Sequence, residues 1–319
     1  MRDIRIAAAQ FEHSNNDKAY NLSRIRELSK RAVAEGAEVV SFHECSISAY
    51  TFVQEFTKEQ LLEVAEVVPN GPSTNELISI AKDCGVPILA GLFEQRDGEV
   101  FNTYICVDGD GLIAKFSKIH AFISPHLTSG SEFVVFDLLG CRCGMLICYD
   151  NNLVENVRMT TMLGADIIFM PHVTGCLPSV MPGRGLVDPE LWYNRDNDPV
   201  ALRKELWGPK GRDWLMRWLP ARAYENGIYA IFTNPIGLDD GQVRNGNSMI
   251  LDPFGEVISE CHQLGDDLAI ALCTADKINV SSGRRYIRAR RPELYGKFVE
   301  PQSEAPVTAP GWDLKHKKC

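Results

Sequence analysis

The segment Gly144-Met145-Leu146-Ile147-Cys148-Tyr149-Asp150-Asn151-Asn152-Leu153-Val154-Glu155 runs an apolar strand into a stretch that reads as a helix, with one thiol at the junction. Amides at a helix start favour negative charge, so this placement predicts a thiolate formed at lower cost than in an ordinary site. Taken alone, a cysteine in an apolar run is a packed core residue. The residues gathered around Cys148 point elsewhere.

Working outward, two more polar side chains stand at strand ends. Glu44 follows Val39-Val40-Ser41-Phe42, and Lys118 follows Leu112-Ile113-Ala114-Lys115-Phe116. Side chains at the carboxyl ends of neighbouring strands converge on one crevice in open α/β sheets. A carboxylate, an ammonium and a thiol in one pocket suit acyl transfer from an amide. Glu44 serves as general base, Cys148 attacks the carbonyl carbon, and Lys118 with the Tyr149 N–H holds the oxyanion. The plain alternative is a structural Glu–Lys pair beside an inert cysteine.

The rest of the chain alternates strands and helices. Strands are expected at Ile4–Gln10, Glu38–Phe42, Val86–Phe93, Phe133–Phe136, Arg142–Ile147, Asp166–Met170 and Ile228–Asn234. Late strands follow at Ser248–Leu251, Val257–Ser259 and Leu268–Cys273, and Asp108-Gly109-Asp110-Gly111 turns a hairpin between Val100–Val107 and Leu112–Lys118. Helical patterns cover Asp17–Glu35, Thr57–Val67, Thr74–Cys84, Leu153–Leu163 and Trp214–Asn226. This order predicts an α/β fold with layers of helix, sheet, sheet and helix around one core. Residues 173–210, rich in Pro, Gly, Asp, Arg and Trp, read as a long ordered insertion. The 301–319 tail reads as an extended arm.

Composition narrows the function. A net charge of −9 excludes general nucleic-acid binding and an anionic membrane surface. No apolar run approaches a membrane span, and the amino terminus lacks a signal-peptide pattern. The ten cysteines and seven histidines are scattered without metal-ligand spacing, which predicts reduced thiols in a cytoplasmic protein and no metal site. The cluster Arg284, Arg285, Arg288, Arg290 and Arg291 reads as a solvated or internally paired face.

At Phe42-His43-Glu44, Phe116-Ser117-Lys118-Ile119-His120 and Gly144–Asp150 the chain resembles the nitrilase superfamily of carbon–nitrogen hydrolases. Arg222-Ala223-Tyr224-Glu225-Asn226 and Gly246-Asn247-Ser248 leading into Asp252-Pro253-Phe254-Gly255 extend the likeness, in order, over nearly the whole chain. The resemblance implies a four-layer αββα sandwich with two mixed β-sheets, a hydrolase domain over residues 1–300, and no cofactor. It also implies a homodimer or larger homo-oligomer and a triad on Glu44, Lys118 and Cys148. Cys-Tyr-Asp around the nucleophile resembles the amidase and carbamoylase branches; the nitrile-hydrolysing branch reads Cys-Trp-Glu there. The expected substrate is therefore a small amide or N-carbamoyl compound, with a nitrile as the alternative.

The chain departs from the family pattern twice. Arg-Phe-Pro-Glu after the nucleophile motif is replaced by Asn152-Leu153-Val154-Glu155. The second glutamate that many members carry after the lysine is missing: no carboxylate stands between Ile119 and Ser131. His126 is the nearest polar substitute, either orienting the substrate amide or packing in its loop. His172, after Ile167-Ile168-Phe169-Met170-Pro171, either lines the pocket or is structural. Trp192, Tyr193, Trp207 and Trp214 are candidates for a cavity wall, and Arg184, Arg195 and Arg203 for a substrate carboxylate. Two other readings stand beside the amidohydrolase: a catalytically silent scaffold, and a Cys–His hydrolase with His43, His120 or His172 as base.

Overall fold

Alternating burial along the strand Ile4–Gln10 shows how the layers arise. Ile4, Ile6 and Ala8 join one apolar cluster, whereas Ala7 and Ala9 join another on the opposite face. A strand buried on both faces needs a layer on each side. In the computed structural model, which describes residues 1–301, helices cover one face and a second sheet covers the other.

The first sheet runs, edge to edge, Asp267–Cys273, Ile4–Gln10, Val39–Ser41, Ile88–Arg96, Glu99–Val107 and Leu112–Ser117. The second runs Val257–Glu260, Met249–Leu251, Tyr229–Thr233, Ile167–Pro171, Cys141–Met145 and Val135–Leu138. Both are mixed: parallel pairs at the centre of each give way to antiparallel pairs at the edges. Ile6, Ala8, Val39, Leu89 and Tyr104 from the first sheet meet Cys143, Met145, Ile168, Phe169 and Ile231 from the second. Helices Lys18–Ala34 and Pro72–Cys84 close the first sheet through Leu22, Ile25, Leu28, Leu77 and Ile80. Val157 of Val154–Met162 and Leu219 and Ala223 of Leu219–Asn226 pack on the second. The expected αββα sandwich is the fold.

Three expectations need correction. The pattern read as one helix over Trp214–Asn226 is two helices, Arg212–Leu215 and Leu219–Asn226. Pro220 has no N–H to continue a helix and belongs in the first turn of a new one. Residues 173–210 contain the helices Pro189–Tyr193 and Pro199–Trp207, anchored by buried Trp192, Leu202 and Leu206 against Ile236 and Val243. Ile236–Asp239 and Gln242–Asn245 form a hairpin that the strand pattern missed. Arg284 is internally paired, donating to Asp166 and to the carbonyls of Gly227 and Ala165. The 302–319 part of the expected arm lies outside the described residues. Among the described residues no helix is long and apolar enough to cross a membrane.

Candidate active site

Three strand ends deliver the site. Glu44 opens the turn after Val39–Ser41, Lys118 follows Leu112–Ser117 directly, and Cys148 follows Cys141–Met145 after two buried residues. Glu44 and Lys118 are almost wholly buried, and Cys148 keeps 6% of its surface. Lys118 Nζ donates to Glu44 Oε1 at 2.7 Å, and Asn102 Nδ2 donates to the same oxygen at 2.6 Å. The Val173 N–H reaches Glu44 Oε2 at 3.1 Å, while the Val173 carbonyl faces the Cys148 sulfur at 3.9 Å. The backbone of one residue, Val173, thus touches both the carboxylate and the thiol. The structure brings the three expected residues together.

Their electrostatics follow from burial and pairing. Burial works against the Lys118 ammonium, but Glu44, Tyr50, Cys148 and Asp150 together outweigh it and hold the pKa well above the ordinary lysine value. Tyr50 Oη takes a further hydrogen bond from Nζ at 3.3 Å, and the Phe122 ring centre lies 4.6 Å from the ammonium. Burial pushes the Cys148 thiol up to about 12; the Glu44 carboxylate adds to the rise and Lys118 opposes it. The expected easy thiolate is therefore wrong. The α-helix begins only at Val154, and Cys148 instead starts a short 3₁₀ turn, Cys148–Asn151. Its φ of +49° is a left-handed conformation that a non-glycine residue holds only when its surroundings enforce it.

Those surroundings are specific. Asp150, wholly buried, accepts from the Ile119 and His120 amides at 3.2 and 2.9 Å and from the Ile147 amide at 3.3 Å. This ties the lysine loop to the nucleophile turn. Arg222 Nε and Nη2 donate to the carbonyls of Asn151 and Asn152 at 3.0 and 2.7 Å, closing the turn from below. Asn102, Tyr50, Asp150 and Arg222 were not singled out as site residues from sequence. Asn102 carried a signal: a polar residue inside the apolar strand Val100-Phe101-Asn102-Thr103-Tyr104-Ile105, on the same strand face as Tyr104.

The other candidates separate clearly. Tyr149 is half-buried at the first turn after Cys148, its ring against His120 and Phe122 at 6.0 and 5.6 Å between ring centres. Early amides of a helical turn have no partner within it. His126 is exposed, and its amide bonds Ser124 Oγ. His172 is wholly buried between Phe232 and Trp218, with Nε2 3.2 Å from Asn151 Nδ2. Burial and Lys118 hold its pKa well below the ordinary value, and its contact with Asn151 joins it to the nucleophile turn. His43 is bonded to His13, and His120 to Asp150, so neither stands as base to the sulfur. Arg195 and Arg203 are occupied by the carbonyls of Trp192 and His262, and Trp192 is an internal anchor. Arg184 stacks on Trp214.

With this geometry in view, comparison with known proteins is decisive at the family level. Residues 5–280 match the carbon–nitrogen hydrolase family. The chain belongs to that family. The resemblance to the nitrilase superfamily read from the motifs therefore holds, and this chain is a hydrolase of non-peptide carbon–nitrogen bonds. The hydrolase is similar to an (R)-stereoselective amidase of a Pseudomonas species, 29% identical over 93% of this chain and 95% of that one. It is also similar to a nitrilase of Pyrococcus abyssi, 28% identical over 84% and 88% of the two chains. The human omega-amidase NIT2 is 28% identical over 92% and 98%. Among solved structures, an amidase from Nesterenkonia sp. AN1 shares the fold, with a TM-score of 0.68, 21% identity and coverage of 93% and 97%. That enzyme was captured with the acetamide moiety of fluoroacetamide added covalently at its active site cysteine.

Proposed function

We propose that this hydrolase cleaves the C–N bond of a small linear amide through a thioester on Cys148, with Glu44 as base and Lys118 as electrostatic support. The observation that carries the reading is a carboxylate at the Val173 N–H and a thiol at the Val173 carbonyl, with an ammonium 2.7 Å from the carboxylate. A thiol pushed up to about 12 is protonated at neutral pH, so attack requires a base beside it. Glu44 takes the Sγ proton as sulfur bonds to the carbonyl carbon. Lys118 and the Tyr149 N–H stabilise the resulting oxyanion, a contribution worth roughly 10²–10³ in turnover per donor. Collapse breaks the C–N bond, and the proton on Glu44 passes to the departing nitrogen, releasing ammonia or an amine. Water then gives a proton to Glu44 and attacks the thioester; the C–S bond breaks and sulfur recovers that proton.

The amidase and omega-amidase relatives support an amide over a nitrile, and an N-carbamoyl bond fits the same chemistry. The assembled triad speaks against a silent scaffold. Exposed Val154, Met159, Met162, Leu163 and Tyr224 on and beside two outer helices support a homodimer through that face, and nine free cysteines among the described residues support a reducing, cytoplasmic setting. The test is ammonia release from matched amide, carbamoyl and nitrile panels. Turnover of amides that vanishes in Cys148→Ala supports the reading; turnover of nitriles alone, or none at all, removes it.

A further inference from the structure

The turn that presents Glu44 continues on its other side into a buried polar chain that the proposed reaction does not use. His43 Nε2 lies 2.9 Å from His13 Nδ1, and His13 Nε2 lies 3.1 Å from Asp239 Oδ1. Asp239 Oδ2 accepts from Arg244 Nε at 2.9 Å and from Thr51 Oγ1, and Arg244 Nη2 donates to Thr51 Oγ1 at 3.0 Å. All five residues are less than 5% exposed. They come from four places in the chain: the end of the first strand, the Glu44 turn, the 51–55 segment and the 236–245 hairpin.

The bonds fix the protons. Burial opposes the Asp239 charge, but Arg244, His13 and Thr51 together outweigh it and keep the group ionised, so it only accepts. His13 Nε2 must then carry hydrogen. His43 Nδ1 has no partner, so the hydrogen of the His43 ring belongs on Nε2, where His13 Nδ1 accepts it. Burial holds His43 well below the ordinary histidine pKa, which leaves its Nδ1 bare, and that atom has no partner. A buried residue with a specified tautomer, its ring tilted against Phe11 at 4.7 Å between ring centres, has one orientation. The peptide it anchors leads straight into Glu44. The next residue, Cys45, has a left-handed φ of +47°, with Gly91 so close that a Cβ there would lie 2.3 Å from the Cys45 nitrogen. Such a turn holds its shape only if fixed from several sides.

We propose that His43 is a positioning residue for Glu44, oriented by the Asp239–His13 chain and acting through the shared turn rather than on substrate. The inference rests on Glu44 being the base. A displacement of about 1 Å in a catalytic group costs on the order of 10²-fold in rate. Hence His43→Phe, which keeps a ring beside Phe11 but loses the hydrogen bond, is expected to lower kcat about 10²-fold per active site with KM within about twofold. The second pair of variants sits at His13, next to a surface cleft of about 580 Å³ that tolerates change better than the core. His13→Leu breaks the chain and lowers kcat, whereas His13→Gln, with a donor and an acceptor on one amide, recovers most of that loss.

Active sites are counted by acyl trapping, so loss of folded protein does not imitate the effect. Equal kcat per site in His13→Leu and His13→Gln, or wild-type kcat in folded His43→Phe, overturns the proposal. Glu44→Gln and Cys148→Ala run alongside: if either keeps turnover, the reaction assignment fails; if both lose it while the histidine variants match wild type, only the positioning role fails.

Discussion

Glu44→Gln separates chemistry from stability in a single variant. The substitution keeps the shape of the side chain and an oxygen for the Asn102 amide, but removes the charge opposite Lys118, whose side chain is wholly buried. At 2.7 Å and an effective dielectric near 20, the pair interacts by about 6 kcal/mol before desolvation is counted. Breaking one partner of a buried pair costs about 3–5 kcal/mol net, because the remaining ion is stranded. Without Glu44, burial governs Lys118, and the ammonium loses its proton more readily. At roughly 2–4 °C per kcal/mol for a larger domain, the thermal midpoint falls by about 6–20 °C. Turnover falls further than stability explains: loss of a general base removes about 10²–10⁴-fold. The assay is ammonia release at a temperature where the variant is fully folded, with the midpoint from calorimetry. Retention of more than a tenth of wild-type kcat refutes Glu44 as base and reopens a histidine in that role. An unchanged midpoint refutes the account of the ion pair.

Three further outcomes follow from particular contacts. Seven cysteines, including Cys148 and Cys176, are buried and have thiols raised by that burial. Their raised folded pKa values mean that stability is intact below the unfolded value of about 8.5 and declines as pH rises toward 12. The decline is about 1.4 kcal/mol per thiol per pH unit, measured as urea midpoints between pH 8 and 10, and a flat profile contradicts it. Arg222→Lys replaces two directed bonds to the Asn151 and Asn152 carbonyls by one point charge; it is expected to cost about 1.5–3 kcal/mol by chemical denaturation and to lower kcat through the loosened nucleophile turn. Unaltered kcat and midpoint there would show that the turn holds itself. His126→Ala leaves kcat and KM as they are, because the residue faces solvent; a tenfold fall in either would put His126 back at the substrate.

How much was legible in the sequence depended on what each signal measures. Apolar runs ending at Glu44, Lys118 and Cys148 report strands, and strand ends in such sheets face one crevice, so the triad's meeting was readable. Periodicity reports burial and says nothing of where a loop side chain turns. His126, eight residues past Lys118, is exposed, which spacing along the chain does not report. Trp214 and Trp218, four apart, imitated one helix across a break that Pro220 enforces. The 236–245 hairpin was hidden by its own function in the fold: buried Asp239 and Arg244 give it a loop-like composition, although Asp240-Gly241 supplies the two left-handed positions of a tight hairpin turn. Polar pairing in the interior, from Asn102 to the His13–His43 chain, is set by partners distant in sequence, and no local pattern records it.

The central claim is that sulfur of Cys148 carries the acyl group. Its most direct measurement is mass spectrometry of intact and digested protein quenched during turnover of a pooled amide library, with the slow Glu44→Gln variant alongside. The account predicts a mass gain equal to the acyl fragment, confined to the peptide containing Cys148 and absent in Cys148→Ala. Turnover with no adduct on that peptide, or an adduct on another cysteine, would contradict it.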